Sequence, residues 1–103
     1  LVIAYDGTDE GALERRMAVR DQHMAYIAGY RAKGNVTHGG AMLDESGKMV
    51  GSVILYQFET RQELDDCLVN DPYVTGKAWQ DIHISAFKTA PSFVENLKQL
   101  QPQ

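Results

Sequence analysis

The stretch GSVILYQFETRQELDDCLVNDP, residues 51–72, predicts a strand, a helix start and a helix end one after another. Residues 51–58 are rich in β-branched, aliphatic and aromatic side chains and are the clearest strand signal in the chain. Thr60 followed by Glu63 has the spacing of a capping box, which predicts that a helix begins there. That helix ends at Asp71-Pro72, because the residue before a proline avoids the helical region.

The segments on either side of this stretch complete the order β-α-β-β-α-β. A long helix is predicted from about Glu10 to Lys33, ended by Gly34. Shorter apolar runs predict the other strands, at residues 1–5, 36–43 and 79–87. We therefore predict an α+β fold of the ferredoxin-like class, in which both helices cover one face of an antiparallel sheet. Apolar residues at helical spacing define the predicted buried face of the long helix: Leu13, Met17, Met24, Ile27 and Ala28.

This architecture leaves the second face of the sheet without a cover. Because that face carries apolar side chains, a second copy packed sheet to sheet is its simplest cover, and we predict a homodimer. Residues 1–90 are assigned to a single domain. Residues 91–103 form a C-terminal tail whose apolar residues have helical spacing: Phe93, Val94, Leu97 and Leu100.

Composition narrows the classes of function. The chain has 103 residues, with 10 Lys and Arg against 14 Asp and Glu, for a net charge of −4. Without a basic run, neither nucleic acid nor an anionic membrane is an expected partner. Cys67 is the only cysteine, which excludes a disulfide framework within the chain and predicts a thiol in the core. The short apolar start does not resemble a signal peptide, and we expect a cytoplasmic protein.

Three ionisable residues form one row on the long helix: Arg16, Arg20 and His23, at i, i+4 and i+7. At 100° per residue, Arg20 falls near the middle of the predicted apolar face, and the other two fall on its flank. A buried cation requires an anion or a wet pocket. Arg20 therefore either forms a structural ion pair, extends its charged end to solvent, or anchors an anionic group of a substrate.

His23 and Asp71 are the candidate catalytic pair. Both predicted helices lie on the same face of the sheet, and Asp71 ends the second one. A carboxylate bonded to one imidazole nitrogen fixes the tautomer and leaves the other nitrogen free to move a proton. The alternatives are a histidine that only packs in the core and an aspartate that only caps a turn.

Further residues are candidates for the same pocket. The Ser52 hydroxyl is a candidate hydrogen-bond partner for a substrate oxygen, and Tyr73 a candidate pocket wall; both also suit purely structural roles. His38 precedes two glycines that allow close backbone approach or a bulge. The three histidines lack ligand-like spacing and the glycines form no phosphate-binding loop, so neither a metal nor a cofactor is expected.

Four stretches together resemble the YCII-related (YciI-like) family: residues 20–27, Gly39-Gly40, residues 47–52 and residues 71–74. The resemblance implies a dimeric, ferredoxin-like α+β barrel. It also implies a site in which His23 pairs with Asp71, with Arg20 and Ser52 near the pocket. One relative of that family is a cofactor-free dehydrochlorinase of a chlorinated hydroquinone, which implies proton-transfer chemistry.

Two hypotheses of function follow. The first is a small cofactor-free enzyme, lyase-like or isomerase-like, in which His23 is the base and the substrate is a small hydroxylated aromatic acid. The second is a non-catalytic dimeric module, ligand-binding or stress-related, in which the same contacts are structural. Variants of His23 discriminate between them through turnover and thermal stability.

Overall fold

The structure is a computed structural model that describes residues 1–93 of the chain. Its elements follow the predicted order, with one additional short helix before the last strand. The predicted tail helix falls from residue 94 onward outside the described residues. The bounds are β1 Val2–Asp6, α1 Ala12–Ala32, β2 Val36–Leu43, β3 Met49–Tyr56, α2 Arg61–Val69, α3 Pro72–Thr75 and β4 Trp79–Ile84.

The four strands form one antiparallel sheet in the order β2-β3-β1-β4. The central strand β1 pairs with β3 on one side, where Ala4 lies opposite Ser52, and with β4 on the other, where Ala4 lies opposite Ile82. This is the ferredoxin-like arrangement, and the predicted α+β fold class is confirmed. Strand β4 ends at Ile84 rather than near Phe87.

Alternation along β1 separates the two faces of the sheet. Val2, Ala4 and Asp6 are buried on the face that meets the helices, whereas Ile3 is only half-buried and Tyr5 is 45% exposed on the other. The core therefore lies between the helices and one face of the sheet. Its buried apolar residues are Val2, Ala4, Val36, Ile54, Leu68, Tyr73, Ala78 and Trp79.

The predicted buried face of α1 was wrong at Met17 and Met24, although Ile27 does pack against the core. Met17 and Met24 are 49% and 52% exposed, whereas Ala12, Arg16 and His23 are buried. The fully buried positions of the helix are one small residue and two polar ones, and the polar groups are buried because they find partners there; Val19, Ile27 and Tyr30 of the helix pack against the core while remaining partly exposed. At Met17 and Met24, apolar periodicity alone therefore predicted residues one position after the buried residues Arg16 and His23.

The start and end signals around α2 match the structure. The Thr60 hydroxyl accepts a hydrogen bond from the Glu63 amide at 3.2 Å, so Thr60 is the N-cap. Helix α2 ends at Val69, and Asp71 then caps the new helix α3, with Pro72 in its first turn. Helix α3 packs tightly on α1: a Cβ added at Gly76 would lie 2.9 Å from Val19. This close contact brings Tyr73 against α1.

Candidate functional site

His23 of α1 and Asp71 at the start of α3 are in direct contact. His23 Nδ1 lies 2.7 Å from Asp71 Oδ1. The imidazole side chain is 7% exposed and the carboxylate 0% exposed. An ionised carboxylate only accepts hydrogen bonds, so Nδ1 carries the proton in this contact. Within residues 1–93, His23 makes no other side-chain hydrogen bond, which leaves Nε2 without a protein partner.

The carboxylate of Asp71 is held by the local turn as well as by the imidazole. Asp71 has extended backbone angles and is the N-cap of α3. Its Oδ1 accepts a hydrogen bond from the Tyr73 amide at 2.8 Å. The turn cap and the histidine contact, which the sequence left as alternatives, are therefore present together. The cap fixes the carboxylate in the orientation that the imidazole needs.

Two aromatic rings hold the imidazole plane. Tyr73 stacks on His23 with a centroid distance of 3.8 Å and an interplanar angle of 15°. Trp79 meets His23 edge-on, with centroids 5.6 Å apart. Rotation of the imidazole about its side-chain bonds would break the stacking and the Asp71 contact together. The ring is therefore pre-oriented by packing.

A second polar cluster lies beside this pair and was missed as a site by sequence reasoning. Arg16 donates from Nη1 to Asp6 Oδ1 and Oδ2, at 3.0 and 3.2 Å, and from Nη2 to Ser52 Oγ at 2.8 Å. Trp79 Nε1 donates to the same Ser52 Oγ at 3.1 Å. The Arg16 guanidinium also lies over the Tyr73 ring, 4.6 Å from its centroid. Tyr73 and Trp79 therefore connect this cluster to His23.

The sequence contained a signal for the missed residues. Asp6 shares the strand alternation of Val2 and Ala4, so it belongs on the buried face of β1. Arg16 lies seven residues before His23, hence on the same side of α1. Together these two positions predict a buried ion pair beneath the helix. In the structure, the Arg16 and Asp6 side chains are 3% and 2% exposed.

The predicted site residues are brought together in part. His23, Asp71 and Tyr73 form one contact group, and Ser52 is joined to it through Trp79. Arg20 is half-buried rather than central to the buried face, and within the described part of the chain it makes no hydrogen bond or ion pair. His38 is exposed on β2.

Burial governs the electrostatics around the site. It raises the pKa of the Asp6 carboxyl, an effect that the neighbouring Arg16 opposes. It also raises the pKa of the Cys67 thiol, which is fully buried, as predicted for a core cysteine. The pKa of the Tyr56 phenol is raised by burial first and by the negative charge of Asp71 second. Buried polar atoms without a hydrogen-bond partner include Tyr56 Oη and Asp71 Oδ2.

Two of the cavities in the described structure have linings that do not include His23 or Asp71. The first, of about 600 Å³, lies at the end of β1 and is lined by residues that include Asp6, Lys48 and Asp81. The second, of about 450 Å³, is lined by residues that include Tyr56, Phe87 and Lys88. The first cavity therefore approaches the site from its Asp6 side.

Neither a metal cluster nor a membrane-spanning helix is present in the described part of the chain. Over residues 1–93, no three His, Cys, Asp or Glu side chains converge in a way that would hold a metal ion. No helix in the same range combines the length and the apolar character needed to cross a bilayer.

Comparison with known proteins identifies a family, a relative of known sequence and a structural neighbour. The sequence pattern of the YCII-related domain matches residues 1–88. An uncharacterized protein of Haemophilus influenzae (strain ATCC 51907 / DSM 11121 / KW20 / Rd) is 34% identical over 82 residues, covering 74% of this chain and 84% of that protein.

A structural neighbour is 5-chloro-2-hydroxyhydroquinone dehydrochlorinase (TftG) from Burkholderia phenoliruptrix AC1100, solved in complex with 2,5-dihydroxybenzoquinone. The two folds superpose with a TM-score of 0.72 at 21% sequence identity, over 88% of this chain and 96% of that one. The chain thus shares its fold with a small-molecule enzyme.

Proposed function

The chain belongs to the YCII-related family, and we propose that it is a cofactor-free small-molecule enzyme that uses His23 as a general base. The observation that carries this proposal is the 2.7 Å contact from His23 Nδ1 to a fully buried Asp71 carboxylate. That contact places the proton on Nδ1 and leaves a lone pair on Nε2. A neutral imidazole in this tautomer accepts a proton from a substrate.

The reaction proposed is proton abstraction followed by elimination or isomerisation. Nε2 of His23 takes a proton from the substrate, and the electron pair left behind either expels a leaving group or moves into a new double bond. The imidazolium then returns the proton to solvent, or to the product in an isomerisation. Asp71 stabilises the imidazolium during the step without itself being protonated.

The substrate proposed is a small hydroxylated aromatic compound with an anionic group. Arg20 is on the same helix as His23, is half-buried and has no anion partner among residues 1–93, so it suits a carboxylate or phenolate. Arg16 is excluded from this role because Asp6 and Ser52 already engage it. The structural neighbour is named as a dehydrochlorinase of a chlorinated hydroxyhydroquinone, which supports an aromatic substrate here.

We propose that Ser52 and Tyr73 also contact the substrate. Ser52 Oγ accepts hydrogen bonds from both Arg16 and Trp79, so its own proton remains available for a substrate oxygen. Tyr73 covers one face of the imidazole and is proposed to form a wall of the pocket. Both side chains are nearly fully buried, so substrate entry requires local opening beside the site.

Replacement of His23 tests the enzymatic proposal. We expect His23→Gln to lower kcat/KM by about 10²–10⁴-fold on 5-chloro-2-hydroxyhydroquinone or a related hydroxylated aromatic, the usual contribution of a general base. Met24→Gln changes an exposed position one residue away and is the matched control. Activity in His23→Gln equal to that of the control would remove His23 from the mechanism.

The second candidate function is a non-catalytic ligand-binding or stress-related module, and one observation favours it. The His23 and Asp71 side chains are only 7% and 0% exposed, as expected if the pair only stabilises the fold. In that case His23→Gln costs about 1–3 kcal/mol because Asp71 loses a partner, while no hydroxylated aromatic is turned over. A loss of stability without any wild-type turnover selects this candidate.

We also propose that a second copy of the chain covers the open face of the sheet. On that face, Ile3 of β1 lies opposite Val53 of β3, and Tyr5 remains 45% exposed. A charge placed there should prevent sheet-to-sheet packing. Val53→Arg is therefore expected to halve the mass measured by light scattering, whereas Met24→Arg on the outer side of α1 leaves it unchanged. A monomeric wild-type protein would refute the dimer.

A further inference from the structure

The cavity at the end of β1 has the size of a small-molecule pocket and is separate from the His23–Asp71 pair. Its volume is about 600 Å³, within the range that such pockets span. Three parts of the chain meet there: the loop that follows β1, the start of α1 and the start of β3, with Asp81 of β4 beside them. A single chain therefore forms the whole lining of this cavity.

One part of the lining is apolar and includes an aromatic ring. Leu13 of α1 and Val50 of β3 line the cavity and are half-buried. The Tyr5 ring also lines it, is 45% exposed, and meets the His83 imidazole edge-on with centroids 5.7 Å apart. Since aromatic rings associate by offset stacking or edge to face, an exposed tyrosine beside aliphatic side chains suits a flat, aromatic body.

The carboxylates that line the cavity are already engaged. Each one has a partner within the described chain: Asp6 with Arg16, Asp9 with Arg15, and Asp81 with His83. Arg15 holds Asp9 through both oxygens, at 2.6 and 2.8 Å, and these hydrogen bonds lower the pKa of that carboxyl to about 2. The two arginines thus compensate two of the three negative charges, and an anion in the cavity meets little net repulsion.

Lys48 is the cation of this lining. It is the only cationic residue among those that line the cavity in the described structure. It is exposed, and within residues 1–93 its ammonium group forms no hydrogen bond or ion pair. The nearby Asp44 carboxylate accepts from the Ser46 hydroxyl at 2.7 Å and from the Lys48 backbone amide at 2.9 Å, so its own turn engages it. A single free ammonium group suits a carboxylate better than a phosphate, which is usually held by several donors.

We propose that this cavity binds a small aromatic carboxylate, with the carboxylate of the ligand at Lys48 and its ring against Tyr5, Leu13 and Val50. The observation that carries the proposal is a ligand-sized cavity that combines an apolar wall with one unengaged cation. The site does not rest on the proposed function, because none of the residues proposed to act on the substrate, apart from the shared neighbourhood of Asp6, contributes to its lining.

Benzoate is the probe, titrated into the whole chain labelled with ¹⁵N. We expect the amide signals of Thr8 and Lys48 to move, and those of His23 and Tyr73 to remain in place. Lys48→Met should raise the Kd about threefold to fivefold, the usual effect of a partly exposed ion pair. Lys33→Met removes the same charge from an exposed position outside the cavity and should leave the Kd unchanged.

Two further ligands test the sign of the charge. Benzamide and benzamidine resemble benzoate in shape but carry a neutral and a positive head group. Benzamide should bind more weakly than benzoate, and Lys48→Met should not change its Kd, because the amide forms no ion pair. Benzamidine binding more tightly than benzoate would overturn the proposal, since the carboxylates of the lining would then select the ligand.

Arg20→Met distinguishes the cavity from the proposed substrate site. Benzoate held at Arg20 would lose affinity in Arg20→Met and not in Lys48→Met, and this result overturns the cavity site. Weakening in Lys48→Met alone supports it, whatever turnover shows for His23→Gln, which tests the proposed function separately. Val53→Arg should retain binding, because one chain forms the lining, and loss of binding there overturns that assignment. Thr8 and Lys48 signals unmoved by millimolar benzoate would also refute the site.

Discussion

Replacement of Arg16 with methionine should be among the most destabilising single changes in this domain. The Arg16 and Asp6 side chains are 3% and 2% exposed, and the guanidinium also bonds Ser52. Arg16→Met leaves the Asp6 carboxylate buried and unpaired. Removal of one partner of a buried ion pair costs about 3–5 kcal/mol. In a domain of this size, that corresponds to a fall in Tm of roughly 15 °C or more.

Urea and thermal unfolding followed by circular dichroism measure this loss, and the neighbouring arginine is its control. Arg15 bonds Asp9 at 2.8 and 2.6 Å, but both side chains are substantially exposed. Arg15→Met should therefore have little effect on Tm. The double variant Asp6→Asn with Arg16→Met removes both charges and should recover part of the stability that Arg16→Met loses.

The pH dependence of the loss follows from the Asp6 carboxyl. Burial raises its pKa above the ordinary 3.8, against the effect of Arg16, so removal of Arg16 raises it further. The folded state then binds more protons than the unfolded state between 3.8 and the raised value, and stability falls as pH rises through that window. The difference in free energy of unfolding between Arg16→Met and wild type should therefore become smaller as pH falls from about 7 toward about 4. A loss below about 1 kcal/mol at neutral pH would refute the buried pair.

Three further predictions use the same unfolding measurements and simple chemical probes. Because burial raises the pKa of the Cys67 thiol, a thiol reagent at neutral pH should label it only when the protein unfolds; rapid labelling of the folded protein would contradict the core assignment. The raised pKa values of Cys67 and Tyr56 mean that the folded state keeps protons that the unfolded state loses, so stability should fall as pH rises above their ordinary values of 9.0 and 10.0. This fall should be shallower in Tyr56→Phe, and equal slopes would argue against a buried Tyr56 phenol. Met24→Gln should change stability by no more than about 0.5 kcal/mol, since Met24 is 52% exposed; a loss of several kcal/mol would place it in a contact.

The order of elements was predictable because its signals are local. Each helix-boundary signal spans at most four consecutive residues: Thr60 with Glu63, and Asp71 with Pro72. Both signals mark helix boundaries in the structure. The contact of His23 with Asp71 was predictable from the fold that this order implies, because the ferredoxin-like arrangement places both helices on one face of the sheet. The sequence offered Asp71 as a turn cap but did not predict that the turn is helix α3, because a four-residue helix has no periodicity to detect.

The buried side of α1 was not predictable from apolar periodicity, since its central residues are not apolar. Arg16 and His23 are buried only because Asp6 and Asp71 lie opposite them, and these partners are distant in sequence. Met17 gives a strong apolar signal from the exposed side of the helix. Where polar side chains pair with one another between helix and sheet, the hydrophobic pattern predicts the wrong buried side of the helix. The correct side is found only by matching oppositely charged residues on different elements.

The charges beneath α1 are not equivalent, and their difference bears on the chemistry. Arg16 and Asp6 compensate each other as a buried ion pair, which is a fixed dipole beside the site. Asp71 is compensated by a full charge only while His23 is protonated. Once the imidazole is neutral, the form that acts as a base, the buried Asp71 charge is stabilised by two hydrogen-bond donors, the Nδ1 proton and the Tyr73 amide. These donors therefore matter most in the state that precedes proton abstraction, and their removal should favour the protonated, inactive imidazole.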